Sequence, residues 1–279
     1  MNRCLEPEKV YARALDPIHI GAGGYRLGRA DNTIVREPST DIPKIPGTSI
    51  AGVVRAFYTI YLAENKCKDK SIEERRKCAE KKAKSIFGDE NRKGLLRFYD
   101  GQIVFFPVSS IQGTVWITTK ELLKYWFEKG IEIPENENRI YTIKGVDPKK
   151  PLNLGWLLLE VESPNVKVKL PSEINGWIKR AVIVPEKLLS PIVNDNLEVR
   201  TSVRIDPETG TAVKGALFTY EAIPRGTIFG FEIAKDEQSR KEDLDKILND
   251  ISDYFECLGM GGMGTRGFGR LELDAKHKK

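Results

Sequence analysis

The chain has 279 residues, 40% hydrophobic and 30% charged, with a formal net charge of +5. That is length for one large domain carrying insertions, and apolar content enough for a packed core, which excludes global disorder. No run approaches the roughly 20 apolar residues of a membrane span, and the start MNRCLEPEKV lacks the apolar core of a secretory signal. A cytoplasmic protein with no membrane partner is expected.

The four cysteines, Cys4, Cys67, Cys78 and Cys257, are scattered, none in a C-x-x-C pair, and the only histidines are His19 and His277. Structural zinc is not expected from such a set, and free thiols in a reducing compartment are. The scarcity of histidine also removes the usual general base of Ser-His and Cys-His nucleophiles. Nearly all the excess charge sits in residues 64–84, where nine Lys or Arg face five acids. A solvated helix laced with ion pairs is the favoured reading of that segment, and a phosphate-binding patch is the alternative.

In chain order, residues 10–20 alternate as a strand and end at Gly21, Gly23 and Gly24. A long polar loop follows, containing Asp31-Asn32, a favoured turn pair. Pro46-Gly47-Thr48-Ser49 opens a helix with a hydroxyl placed to cap it, and Ile50, Val53, Val54, Phe57 and Tyr61 form its apolar stripe. The free N–H groups of that helix start would make a phosphate site. Strands are expected over 95–107 and 114–118, then a short amphipathic helix over 120–129. Residues 130–195 read as irregular, with strand-like pieces at 156–161 and 166–170. A hairpin follows with its tip at 206–210, then a helix over 243–258 closed by Gly259, and a final strand over 270–273. Strand, helix, two strands, helix, strand is the split βαβ plan, so the fold class expected is α+β: a ferredoxin-like, RNA-recognition-type βαββαβ core with large insertions and a β-hairpin thumb.

Ile20-Gly21-Ala22-Gly23-Gly24 is not a dinucleotide fingerprint, because no helix opens directly after it. The late loop GMGGMGTRGFG lacks the Gly-Lys-Ser/Thr ending of a P-loop. Its six glycines in eleven residues, with Arg266 among them, favour backbone contact with phosphate over a plain turn.

The runs IHIGAGGYRLGRADNTIVRE and IPKIPGTSIAGVVR resemble the N-terminal signature of the RAMP superfamily of CRISPR systems. Three further stretches keep the family's order: IFGDE with GLLRFYDGQIVFFPVSSIQGTVWIT, then RTSVRIDPETGTAVKGALFTYEAIPRGTIF, then GMGGMGTRGFGRL. The resemblance is nearest to the backbone subunit of type III-B (Cmr) effector complexes. It implies one RAMP domain over 1–279, with a core at about 8–130 and 228–274, an insertion at about 131–196 and a thumb hairpin at about 197–226. It further implies that copies stack as a filament along a guide RNA (crRNA), with target single-stranded RNA and other CRISPR effector subunits as partners. Each thumb, here carrying Arg200, Arg204 and Lys214, would displace a base pair at regular intervals.

By the same resemblance Lys44, Ser49, Arg55, Gly261, Gly262, Gly264 and Arg266 contact the guide. The chain departs from the family at Ala51, where a basic residue is frequent. The position matching the family's cleavage residue is Asp31, which would hold a divalent metal, Mg2+ or Mn2+, for endoribonuclease cleavage of the target. The resemblance thereby lifts Asp31 above its reading as a turn residue. A guide-binding scaffold without chemistry, and a guide-processing endoribonuclease using His19, stay open beside this reading, although His19 lies inside the strand pattern and fits a structural role better.

Overall fold

The structure, a computed structural model, describes residues 7–23, 30–127, 130–134, 138–162, 166–235 and 244–274. Strand β1 (Glu8–Ala14) sends Val10, Ala12 and Ala14 into the main core and Tyr11 into a second core on the opposite sheet face. It is shorter than the 10–20 pattern suggests. Pro17 has no N–H to give a ladder, and beyond it the chain pairs through isolated bridges, Ile18 to Ile223 and Gly21 to Ile34.

Helix α1 (Gly47–Asn65) buries Ile50, Val54, Phe57, Tyr61 and Leu62, as its stripe predicts. Its start corrects the expected cap. Pro46 is the N-cap and no side chain of the Thr48-Ser49 pair caps the helix. Instead the Gly47 amide donates to Asp100 Oδ1 at 2.8 Å, and the amides of Ser49 and Ile50 donate to the Pro46 carbonyl. A carboxylate therefore already complements the positive end of this helix, where an open phosphate site was expected.

Helix α2 (Ile72–Phe87) starts with a Ser71/Glu74 capping box and buries only Ala79, Ala83 and Ile86. Its exposed side carries the pairs Lys77–Glu73 and Arg76–Glu80, so the charge-rich segment is a solvated helix. The expectation of free thiols is wrong for two cysteines: Cys67 and Cys78 form a disulfide with Cα atoms 6.3 Å apart. The helices fold back on each other, with Phe87 reaching Tyr58, and this brings together two positions separated by 11 residues. No short motif marks such a spacing. Cys257 is free and exposed, and Cys4 lies outside the described residues.

Strands β2 (Leu96–Phe98), β3 (Gln102–Val108) and β4 (Val115–Thr118) lead to helix α3 (Lys120–Phe127). The stretch read as irregular is instead built of short elements: β5 (Ile131–Glu132), β6 (Ile140–Lys144), β7 (Leu152–Leu154), β8 (Leu157–Leu159), β9 (Val161–Glu162), β10 (Lys167–Val168), helix α4 (Ser172–Trp177), β11 (Ala181–Ile183) and helix α5 (Glu186–Asp195). Runs of two to five residues are too short to display a period of two. The chain then forms β12 (Glu198–Ile205), β13 (Ala212–Ala222), β14 (Ile228–Lys235), helix α6 (Leu244–Cys257) and β15 (Leu271–Leu273).

The main sheet is mixed and nine-stranded, in the order β15-β1-β14-β3-β4-β11-β6-β9, with β2 also on β14. β14 lies between β1 and the β2/β3 region that α1 and α2 lead to, and β1 lies between β14 and the β15 that α6 leads to. Two β–α–β crossings therefore interleave, each skipping one strand. α1 and α6 share one face, with Phe57 edge-on to Phe255 at 5.1 Å. Leu123 and Trp126 of α3 pack with Tyr11 and Phe105 on the other. β12 and β13 form a separate two-stranded sheet whose turn is closed by the Gly210 amide on the Asp206 carbonyl, at the expected tip.

Candidate functional site

The root of the hairpin is where the distant loops meet. The backbone of β13 at Thr219–Glu221 acts as an edge for the first loop: Asn32 bridges Tyr220 in parallel, the Asn32 amide donates to the Thr219 carbonyl at 3.0 Å, and the Glu221 amide donates to the Asn32 carbonyl at 2.9 Å. Asp31 is thereby presented at the surface. Its Oδ2 accepts from both the backbone amide and the hydroxyl of Thr219, each at 2.8 Å, while its own amide donates to Thr219 Oγ1 at 2.9 Å. The Thr219 backbone bond first, then the hydroxyl, hold the Asp31 carboxyl below its ordinary range, so it is charged at neutral pH. Among the described residues Oδ1 has no partner; Arg29, which flanks Asp31 in sequence, lies outside them.

Next to Thr219, the Tyr220 ring stands edge-on to His19 at 5.9 Å, and its hydroxyl accepts from Arg266 Nη1 at 3.0 Å. His19 is buried, and Nδ1 lies 2.7 Å from the Glu221 carbonyl. An acceptor there requires Nδ1 to carry the proton, and the His19 carbonyl itself takes the Gly262 amide. Both contacts give His19 a structural place. The Glu221 carboxylate is buried beside Arg36 at 2.6 Å, pinning the first loop a second time.

The glycine-rich loop lies against the same root. Gly261 adopts φ +86°, and a Cβ there would meet the His19 carbonyl oxygen at 2.6 Å, so that glycine answers to packing. At Gly264 a Cβ would make only an ordinary contact, 3.9 Å from the Leu258 carbonyl oxygen, and the residue opens the short 3-10 turn at Gly264–Arg266. Gly262, Gly264 and Arg266 thus sit within one cluster with Asp31, through Tyr220 and His19.

The other expected contacts lie elsewhere. Ser49 is half-buried at the start of α1. Lys44 bridges Asp100 at 2.7 Å and Glu37 at 2.9 Å, and these bonds, Asp100 first, raise its pKa. Arg55 has no ion pair among the described residues and lines a cleft of about 590 Å³ with the bases Lys84, Arg92 and Lys93 and the acids Asp89 and Glu90. On the thumb, Arg200 pairs with Glu198 and stacks over Phe268 at 4.7 Å, whereas Arg204 and Lys214 are exposed without an ion pair among the described residues. Sequence reasoning missed Thr219, Tyr220, Glu221 and the binding role of Arg36 within the fold. Nothing local marks them, since their partners are about 190 positions away in sequence.

A family model described as the RAMP superfamily matches residues 11–272. The chain belongs to the RAMP superfamily. A curated relative, the CRISPR system Cmr endoribonuclease Cmr4 of Pyrococcus furiosus, is 28% identical over 291 residues, covering 94% of this chain and 93% of that protein. The RAMP fold is also similar to that in a type III-B Cmr-beta complex solved in its apo state, with a TM-score of 0.69, 20% identity and 96% of each chain covered. The same complex bound to cognate target RNA gives 0.67 at 20% identity over 97% of each chain. Oligomeric Cmr4 from Pyrococcus furiosus gives 0.60 at 20% identity, over 96% of this chain and 99% of that one. Among the described residues, no helix of this RAMP protein is long and apolar enough to cross a membrane.

Proposed function

We propose that this RAMP protein is the backbone subunit of a type III-B CRISPR ribonucleoprotein, binding guide RNA as a filament of its own copies beside other effector subunits, and that Asp31 cuts complementary target RNA. The carrying observation is the exposed Asp31 carboxylate, charged and held at the root of the thumb through Oδ2, with no partner on Oδ1 among the described residues. The full-length likeness to Cmr4, a protein named as an endoribonuclease, supports it, as does the fold shared with a Cmr complex that holds target RNA. The interleaved order β15-β1-β14-β2/β3 supports reading the core as ferredoxin-like, carrying the insertion at about 131–196 and the thumb at about 197–226.

In this reading the thumb displaces one nucleotide pair, which frees the backbone beside it to reach the in-line geometry that a stacked duplex forbids. The ribose 2′-oxygen bonds to the scissile phosphorus as the bond to the 5′-oxygen breaks. The 2′-hydroxyl proton leaves to a base, and the departing 5′-oxygen takes a proton, giving a 2′,3′-cyclic phosphate and a 5′-hydroxyl. Asp31 Oδ1 accepts the proton or carries a cation. Arg266, propped on Tyr220, is placed to face phosphate charge.

A divalent metal, Mg2+ or Mn2+, fits these residues only in part. No group of three or more His, Cys, Asp or Glu gathers among the described residues, so Asp31 would hold it together with oxygens of the RNA. When bound, it supplies charge neutralisation at the phosphate.

The test is to assemble the complex with guide RNA and divalent metal and to present labelled complementary RNA. Regularly spaced cuts with cyclic-phosphate and 5′-hydroxyl ends are expected. Target bound but uncut would leave a scaffold, and cutting of guide precursor instead would make the protein a processing enzyme.

A further inference from the structure

We propose that Thr219 is the positioning residue of the cleavage site, locking the Asp31 carboxylate to the thumb so that the cut falls at a fixed offset from the displaced nucleotide. This rests on Asp31 being the cleavage residue. Thr219 and Asp31 are 188 positions apart, yet three hydrogen bonds join them. The Thr219 hydroxyl serves both ways, donating to Asp31 Oδ2 and accepting from the Asp31 amide. The carboxylate therefore cannot swing about its side-chain bonds without breaking contacts to one residue. Oδ2 is fully engaged, and Oδ1 is left to face the RNA.

The placement of Thr219 in the hairpin gives the bond its consequence. It lies on β13 opposite Thr201 of β12, one residue before Tyr220, which contacts His19 and Arg266. A displacement of the hairpin thus carries the carboxylate with it, and the thumb's depth in the duplex and the position of Oδ1 move as one body. The neighbouring ties, Asn32 to β13 and Arg36 to Glu221, hold the loop backbone but touch no Asp31 side-chain atom. Only Thr219 fixes the carboxylate itself among the described residues.

The experiment compares Thr219→Val, Thr219→Ser and Asp31→Asn in the assembled ribonucleoprotein, reading target affinity, single-turnover cleavage rate and cut position. Val keeps the backbone bond and the side-chain shape but removes both hydroxyl bonds. Thr219→Val should bind target as wild type does, cleave roughly 10- to 100-fold more slowly, and spread its cuts onto neighbouring phosphodiesters. Thr219→Ser should restore rate and position.

If Asp31→Asn abolishes cleavage while Thr219→Val cuts at the wild-type rate and position, the positioning claim alone is overturned. If Asp31→Asn still cleaves, the underlying reading fails and takes this one with it. Should Thr219→Val not assemble, Thr219→Ala makes the same cut in hydrogen bonding and is read in the same way. Failure of both to assemble beside a functional Thr219→Ser would make Thr219 a structural residue of the thumb and overturn the proposal.

Discussion

Two basic residues expected on the guide show how far local pairing changes what a charge can do. Lys44 sits between Asp100 and Glu37, and its raised pKa reflects a cation already satisfied by the protein. A phosphate arriving there would have to replace carboxylate contacts and meet two nearby negative charges. Arg55 carries no such pair among the described residues and faces a cleft where Lys84, Arg92 and Lys93 outnumber Asp89 and Glu90. Arg55→Ala is therefore expected to weaken guide binding and to lower the slope of log affinity against log salt by about 1 per copy. Lys44→Ala should change that slope by less. Salt-titrated binding of both variants measures this, and an equal effect would show that RNA strips Lys44 from its carboxylates. Asp31 was visible in the sequence only through the family resemblance, because Asp31-Asn32 by itself reads as a turn. Its partner Thr219 was not visible, since a threonine on a strand announces nothing until the fold brings the first loop to it.

At the scale of elements, the disulfide between Cys67 and Cys78 closes the hinge between α1 and α2. In the chain-entropy view, a closed loop of this length stabilises by about 2–3 kcal/mol through the unfolded state. Reductant should then lower the melting temperature of the wild type by several degrees. Cys78→Ser should melt at the reduced value with or without reductant. Thiol labelling of the denatured, unreduced chain should leave Cys67 and Cys78 unmodified and find both after reduction. Labels on both before reduction would contradict the bond. The long helices were legible because Ile50, Val54 and Phe57, and likewise Leu244, Ile247, Leu248 and Ile251, repeat over several turns. The thumb was legible from its 206–210 turn, where Asp206 Oδ1 takes the Glu208 amide. The sheet extension through β11, β6 and β9 was not, since none of these strands exceeds five residues.

Across the whole molecule, the interleaved crossings put β1, the glycine-rich loop and the thumb root at one end of the sheet. There the His19 carbonyl takes the Gly262 amide, and β13 takes the first loop. A large part of the hairpin's apolar surface, at Val203, Ile205, Leu217 and Phe218, is left without a covering layer. Two strands alone are marginal in water, and the proposed filament gives this surface a neighbour in the next copy and the duplex. In the proposed function, a repeating subunit with one exposed carboxylate, Asp31, at each thumb root would account for regularly spaced cuts. The most direct test is cleavage of complementary RNA by complexes assembled wholly from Asp31→Asn chains, compared with wild type at equal target occupancy. Target is expected to stay bound and every regularly spaced cut to disappear. Cuts persisting at the wild-type rate and spacing would contradict the proposed function, and would leave Asp31 as a residue that only docks the first loop onto the thumb.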